Sequence, residues 1–146
     1  MGTFRAIRVD KAEKGTVVAL TQFDEAELMD GDVTVRVEWS TLNYKDGLAV
    51  TGKAPVVRRF PMIAGVDFAG TVEQSSHPQW KAGDKATCNA RGMAETPLGA
   101  YPAKARVNGH RLVTPPATTS TRQALPFATP RRPAPCPAPA SRLTGP

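Results

Sequence analysis

The chain has 146 residues, 40% of them hydrophobic, with 14 Pro, 12 Gly, two Cys and a net charge of +6; that is enough for one domain with a real core and many turns. The charge is unevenly placed: residues 1–95 hold 12 Lys/Arg against 13 Asp/Glu, whereas residues 96–146 hold seven Lys/Arg and no acid, so no basic face with interleaved aromatics sets up a nucleic-acid partner. No apolar run is long enough to span a membrane, the first residues lack a signal-peptide core, and two Cys with two His cannot build a zinc site, so the expectation is a cytoplasmic protein with no metal and no membrane segment.

In chain order, residues 3–9 and 16–20 read as strands, and Lys14-Gly15 between them predicts a hairpin. Residues 21–32, TQFDEAELMDGD, are polar and end in a turn signal. Residues 33–39 alternate Val33, Val35, Val37 and Trp39 with Thr34, Arg36 and Glu38, which predicts a strand with Val35 and Val37 in the core. A polar elbow follows, Asn43-Tyr44-Lys45-Asp46, opening a short helix or turn to about Val50. A loop through Gly52, Pro55 and the Arg58-Arg59 pair leads to Pro61 and a strand over 66–73, where Gly65 and Gly70 predict a bulge or a close backbone approach. Lys81–Asp84 reads as a turn and Lys85–Cys88 as a strand. Residues 99–107 and 111–113 offer two more strands, with Pro102 lacking a ladder donor. Cys88 is expected to be a semi-buried thiol and Cys136 a solvated one. No segment has a helical period over a dozen residues. The pattern predicts a mainly β fold with short helices, a barrel or sandwich.

From Leu125 the composition changes. Residues 125–146 hold seven of the 14 prolines and read as a disordered Pro/Ala/Arg-rich tail beside a domain of residues 1–124. A proline-rich ligand is the sharper reading of Pro133, Pro135, Pro137 and Pro139. It supports an alternative function, a non-enzymatic β-barrel binding or interaction module.

The segments STLNYKDGLAVTGK (40–53) and VVRRFPMIAGVDFAGTVE (56–73), with the Gly83-Asp84 turn and KARVNG (104–109), resemble the acryloyl-CoA reductase group. That group lies among the zinc-independent, quinone-oxidoreductase-like members of the medium-chain dehydrogenase/reductase superfamily. The likeness covers roughly residues 3–124. It implies a GroES-like, partly open β-barrel that normally precedes a Rossmann domain binding NADPH. It implies hydride transfer to the β-carbon of an α,β-unsaturated acyl-CoA thioester, or to a quinone-like acceptor. It implies that full-length relatives are homodimers. Where zinc-dependent relatives have a Cys near 43 and a His near 66, this chain has Asn43 and Val66-Asp67. By the resemblance, Tyr44 matches the position packing against the nucleotide and Asn43 one beside the nicotinamide. Asp46 matches a carboxylate acting as proton donor or site organiser, with a helix cap as its structural alternative. Asp67 is expected to order its own loop. Arg58 and Arg59 could meet a CoA phosphate, although a solvated pair is the simpler expectation.

The resemblance also implies features this sequence does not have. No GxGxxG occurs in the 146 residues. The tail has the composition that GC-rich DNA yields in a shifted frame, so the expectation is a truncated or frameshifted product, inactive alone. Departures at Ala90, Arg91, Ala94, Pro97, Pro102, His110-Arg111 and Thr114 predict a less well folded last third. Strands missing from the barrel predict an unpaired edge.

Overall fold

The computed structural model describes residues 2–89, 99 and 102–125, and the backbone of 133–135. Strand β1 (Thr3–Lys11) turns through Gly15, at φ +81°, into β2 (Thr16–Asp24), and the two pair over nine residues from Thr3↔Asp24 to Lys11↔Thr16. The expected hairpin is present, but β2 runs four residues beyond its predicted end. Thr21 and Gln22 look like turn residues, yet the ladder to β1 uses backbone and is indifferent to their polarity. Asp24 then caps a short 3-10 turn, Glu25–Glu27, by accepting the Ala26 N–H at 2.8 Å.

Strand β3 (Val33–Thr41) is the axis of the larger sheet. Val35 and Val37 are buried as expected, but so are Thr34, Ser40 and Thr41, which breaks simple alternation. The register against β5 (Phe68–Ser75) is irregular: β5 carries an extra residue, Glu73, opposite Thr34/Val35, and β3 carries one, Glu38, between Val37 and Trp39, ahead of Ser40 and Thr41. Each extra residue swaps the face its successors occupy. Helix α1 (Tyr44–Thr51) follows, ending at Gly52 in the left-handed region, φ +65°. Strand β4 (Met62–Ile63) joins β1, after a cis Phe60–Pro61 bond. The predicted strand at 66–73 is displaced to Phe68–Ser75, because Val66-Asp67 form the entry corner.

The smaller sheet has the order β2-β1-β4. The larger has β7 (Lys104–Val107), β3, β5, β6 (Lys85–Cys88) and β8 (Leu112–Val113) in that order. The two sheets do not close into a continuous barrel among the described residues. Each has its own apolar cluster: Phe4, Ala6, Phe23, Leu28 and Ile63 under the hairpin, and Val33, Val35, Val37, Phe68, Val72 and Trp80 among others under the larger sheet. The strand expected at 99–107 begins only at Lys104; Pro102 makes a single bridge to Ala6, where its missing N–H interrupts the ladder.

The last third packs better than its departures predict, because Ala105, Val107, Leu112, Ala124 and Leu125 are buried. Leu125, the expected first residue of the tail, is wholly inside, held by helix α2 (Thr121–Ala124) with its Ser120/Gln123 capping box. Of the tail proper, Pro133–Pro135 forms an extended strand β9 antiparallel to β3 at Trp39–Thr41. With proline on both sides, Ala134 supplies its only ladder N–H. The backbone of those three residues is paired with β3. Cys136, the rest of the tail and the departures at 90–97 lie outside the described residues. Cys88 is fully buried rather than half-buried. No helix among the described residues is long and apolar enough to cross a membrane.

Glu38, at the β3 bulge, ties three elements together. It accepts Thr71 Oγ1 at 2.6 Å and Thr121 Oγ1 at 2.8 Å, with Lys85 Nζ at 3.4 Å. Burial alone would raise its pKa, but the two hydroxyls and Lys85 outweigh that and hold the carboxyl below its ordinary value. A lowered pKa gives stability that is complete above the unfolded value and lost as pH falls through the folded one. Glu38→Gln is therefore expected to cost roughly 1 kcal/mol near neutral pH. The gap to the parent should narrow below about pH 4, which urea unfolding at the two pH values measures.

Candidate functional site

The site grows from the end of β3. Ser40 and Thr41 are buried, Leu42 is 65% exposed, Asn43 is buried again, and Tyr44, the first residue of α1, is 71% exposed. What holds this alternation is a buried polar knot with Asp67 at its centre. Asp67 Oδ2 accepts Thr41 Oγ1 at 2.9 Å and Asn43 Nδ2 at 3.0 Å. Asn43 Nδ2 also reaches Thr41 Oγ1 at 3.0 Å. Ser40 Oγ donates to the Asp67 carbonyl at 2.6 Å. Gly65, at φ +103°, makes the corner that delivers Asp67 to this place, a conformation other residues adopt only with strain.

The second carboxylate of the elbow serves the helix. Asp46 Oδ2 accepts the Asn43 N–H at 2.7 Å, and the Asp46 N–H donates to the Asn43 carbonyl at 3.1 Å. Asp46 is thus the third helical residue reaching back to the N-cap, half of a capping box. The capping alternative for Asp46 is what the geometry contains, with the cap at Asn43. Asn43 stands between two buried acids, giving its main-chain N–H to Asp46 and its side-chain amide to Asp67. Buried carboxylates of this kind are sustained by charge-assisted hydrogen bonds, and such bonds hold geometry tightly.

Of the sequence-predicted residues, the structure brings Asn43, Tyr44 and Asp46 together at one helix start. Asn43 and Asp46 are 8% and 1% exposed, so both lie behind the surface that Leu42 and Tyr44 present. Asp67 does more than order its own loop, since it joins the end of β3 and the start of α1 to the entrance of β5. Thr41 and Ser40 were not legible as site residues. The signal for them was a pair of small polar residues ending a strand just before Asn43. Arg58 and Arg59 are exposed on the loop. Among the described residues no group of His, Cys, Asp and Glu is arranged to hold a metal. Beyond the site, Arg122 of α2 lies over the Trp39 ring at 5.3 Å and anchors that helix to β3.

A family model described as the alcohol dehydrogenase GroES-like domain matches residues 29–117. The chain is 42% identical over 121 residues to the probable acrylyl-CoA reductase AcuI of Escherichia coli K12, covering 83% of this chain and 37% of that protein. It is 43% identical over 128 residues to the acrylyl-CoA reductase AcuI of Ruegeria pomeroyi, covering 86% of this chain and 39% of that one. It superposes on the crystal structure of the yhdH oxidoreductase from Salmonella enterica in complex with NADP with a TM-score of 0.82, at 42% identity over 85% of this chain and 38% of that one. The chain therefore spans less than two fifths of the length of the relatives it matches.

Proposed function

The chain belongs to the alcohol dehydrogenase GroES-like domain family, and from that premise we propose that it is the substrate-side part of an NADPH-dependent oxidoreductase acting on an α,β-unsaturated acyl thioester of the acrylyl-CoA type. The observation that carries the reading is Tyr44: a large aromatic held 71% exposed by a rigid buried cap. A ring and a hydroxyl fixed at a helix start suit contact with a flat nucleotide. The names of the similar acrylyl-CoA reductases and the NADP-bound Salmonella structure support the substrate class and the cofactor.

NADPH supplies the hydride when bound; this chain's residues position and enclose. Tyr44 gives the contact surface, with Leu42 beside it. Asn43 commits its amide nitrogen to Thr41 and Asp67, and Asp46 commits one carboxylate oxygen to the helix cap. Both thereby position the start of α1 and keep Tyr44 in place. By themselves these 146 residues lack a glycine-rich pyrophosphate turn, so we expect weak nucleotide binding and little turnover from them alone. Titration of NADPH fluorescence against residues 1–146 is expected to show no saturation below about 1 mM; tight, micromolar binding would overturn that part of the reading.

A further inference from the structure

We propose that the outer edge of β2 is a self-association surface, which pairs antiparallel with β2 of a second copy about a two-fold axis through Ala19. β2 is the terminal strand of its sheet, and among the described residues only β1 pairs with it. Its middle carries apolar side chains to solvent on both faces: Val17 is 54% exposed, Val18 37% and Leu20 51%. Edge strands are ordinarily guarded by charge, proline or a bulge, because their unpaired N–H and C=O groups template another strand. From Thr16 to Phe23 this edge has no charged residue and no proline.

The register follows from geometry and charge. Outward-facing amides recur every second residue, so two copies of one strand match only with a residue on the axis, not a bond. The free stretch is bounded by Thr16, whose hydroxyl donates to the Val50 carbonyl of α1 at 3.2 Å, and by Phe23, which is buried. Its midpoint falls between Ala19 and Leu20, and the facing charges choose the Ala19 axis. That axis places Val18 across from Leu20 and Val17 across from Thr21, pairs favourable on a sheet face. It also places Asp24 of each copy across from the Lys14 turn of the other. An axis at Leu20 would set Glu13 against Glu27, and one at Val18 would leave Asp24 facing Ala12. With the Ala19 axis Glu13 faces Glu25, but Glu25 is already held by Lys104 at 2.6 Å. Two self-complementary ion pairs and an apolar centre favour a second copy over an unrelated strand. The short contact makes it a weak dimer, with Kd on the order of 100 μM.

Sedimentation of the 146-residue chain between about 20 μM and 1 mM tests this. The expected result is a concentration-dependent monomer–dimer equilibrium. Val18→Lys should abolish it, and Lys14→Glu should weaken it about tenfold. Oxidation should cross-link Ala19→Cys, made in a Cys136→Ser background. Across a β pair the two Cα atoms at the axis lie about 4.5–5.5 Å apart, within disulfide reach, whereas Val17→Cys would sit about 13 Å from its copy and should stay unlinked. A monomer at every concentration overturns the proposal. So do a dimer that Val18→Lys leaves intact and equal cross-linking of the two cysteine variants. Slow hydrogen exchange in a monomer of the amides between Val17 and Thr21 that point away from β1 would give the edge to a segment of the same chain, and overturns it as well.

Discussion

Gly70→Ala is expected to lower the unfolding free energy by about 4 kcal/mol, a large effect for the addition of a single methyl group. Gly70 is a central residue of β5, laddered to Val37 on one side and Ala86 on the other. A Cβ there would lie 2.0 Å from the Arg36 carbonyl oxygen, 2.9 Å from its carbon and 3.0 Å from a Val35 methyl. The obstacle is the backbone of β3, and that backbone is fixed by pairing on both its edges, to β5 and to β7. Relief requires β3 and β5 to part at the bulge, which also carries Glu38 and its ties to Thr71 and Thr121. Gly47 is the control. It lies in α1 with nothing within 4 Å of an added Cβ. Gly47→Ala should stabilise by roughly 0.5–1 kcal/mol through helix propensity and a less flexible unfolded chain. Guanidinium unfolding of the two variants should move the midpoints in opposite directions. Equal small shifts would mean that the strands do not approach as closely as described.

The second large effect belongs to the polar knot. Asp67→Ala is expected to cost about 3 kcal/mol, because it leaves the Thr41 hydroxyl and the Asn43 amide, both buried, without their shared acceptor. Asp67→Asn keeps an oxygen in place and should cost about 1 kcal/mol. The ranking is the informative part, since a purely electrostatic role would make the two variants alike. The consequence should extend beyond stability. With Asp67 gone, Asn43 is freed, the cap of α1 loosens, and Tyr44 loses its fixed direction. Near-UV circular dichroism and exchange of the α1 amides would register that loosening.

Much of the scaffold was legible because it depends on local chemistry. The hairpin was announced by Gly15 between two apolar runs. Val35 and Val37 were found in the core because period two is imposed by the pleat. Asn43 and Asp46 carry the three-residue spacing of a helix cap, so the elbow could be read as structure as well as chemistry. What escaped reading depends on contacts distant in sequence. Ser40 and Thr41 lie beyond the extra residue Glu38 that β3 carries against β5, and nothing in residues 33–41 alone encodes that bulge. Thr41 meets Asp67 across 26 positions of chain. The reach of β2 to Asp24 is imposed by β1 rather than by its own polar residues. Leu125 shows the same limit from the other side: a lone apolar residue beside a proline-rich run looks like tail until α2 is seen to bury it.

The central claim is that this domain supplies the substrate-side wall of an NADPH-dependent reductase, with Tyr44 as its contact. The most direct test joins residues 1–125 to the remainder of the Escherichia coli relative and follows NADPH oxidation with acrylyl-CoA. The expected result is oxidation that depends on acrylyl-CoA in the joined protein, and none above background from residues 1–146 alone. Tyr44→Ala in the joined protein should lower kcat/KM for NADPH at least about tenfold, mostly through KM. A joined protein that folds, binds NADPH and still leaves acrylyl-CoA untouched would contradict the account.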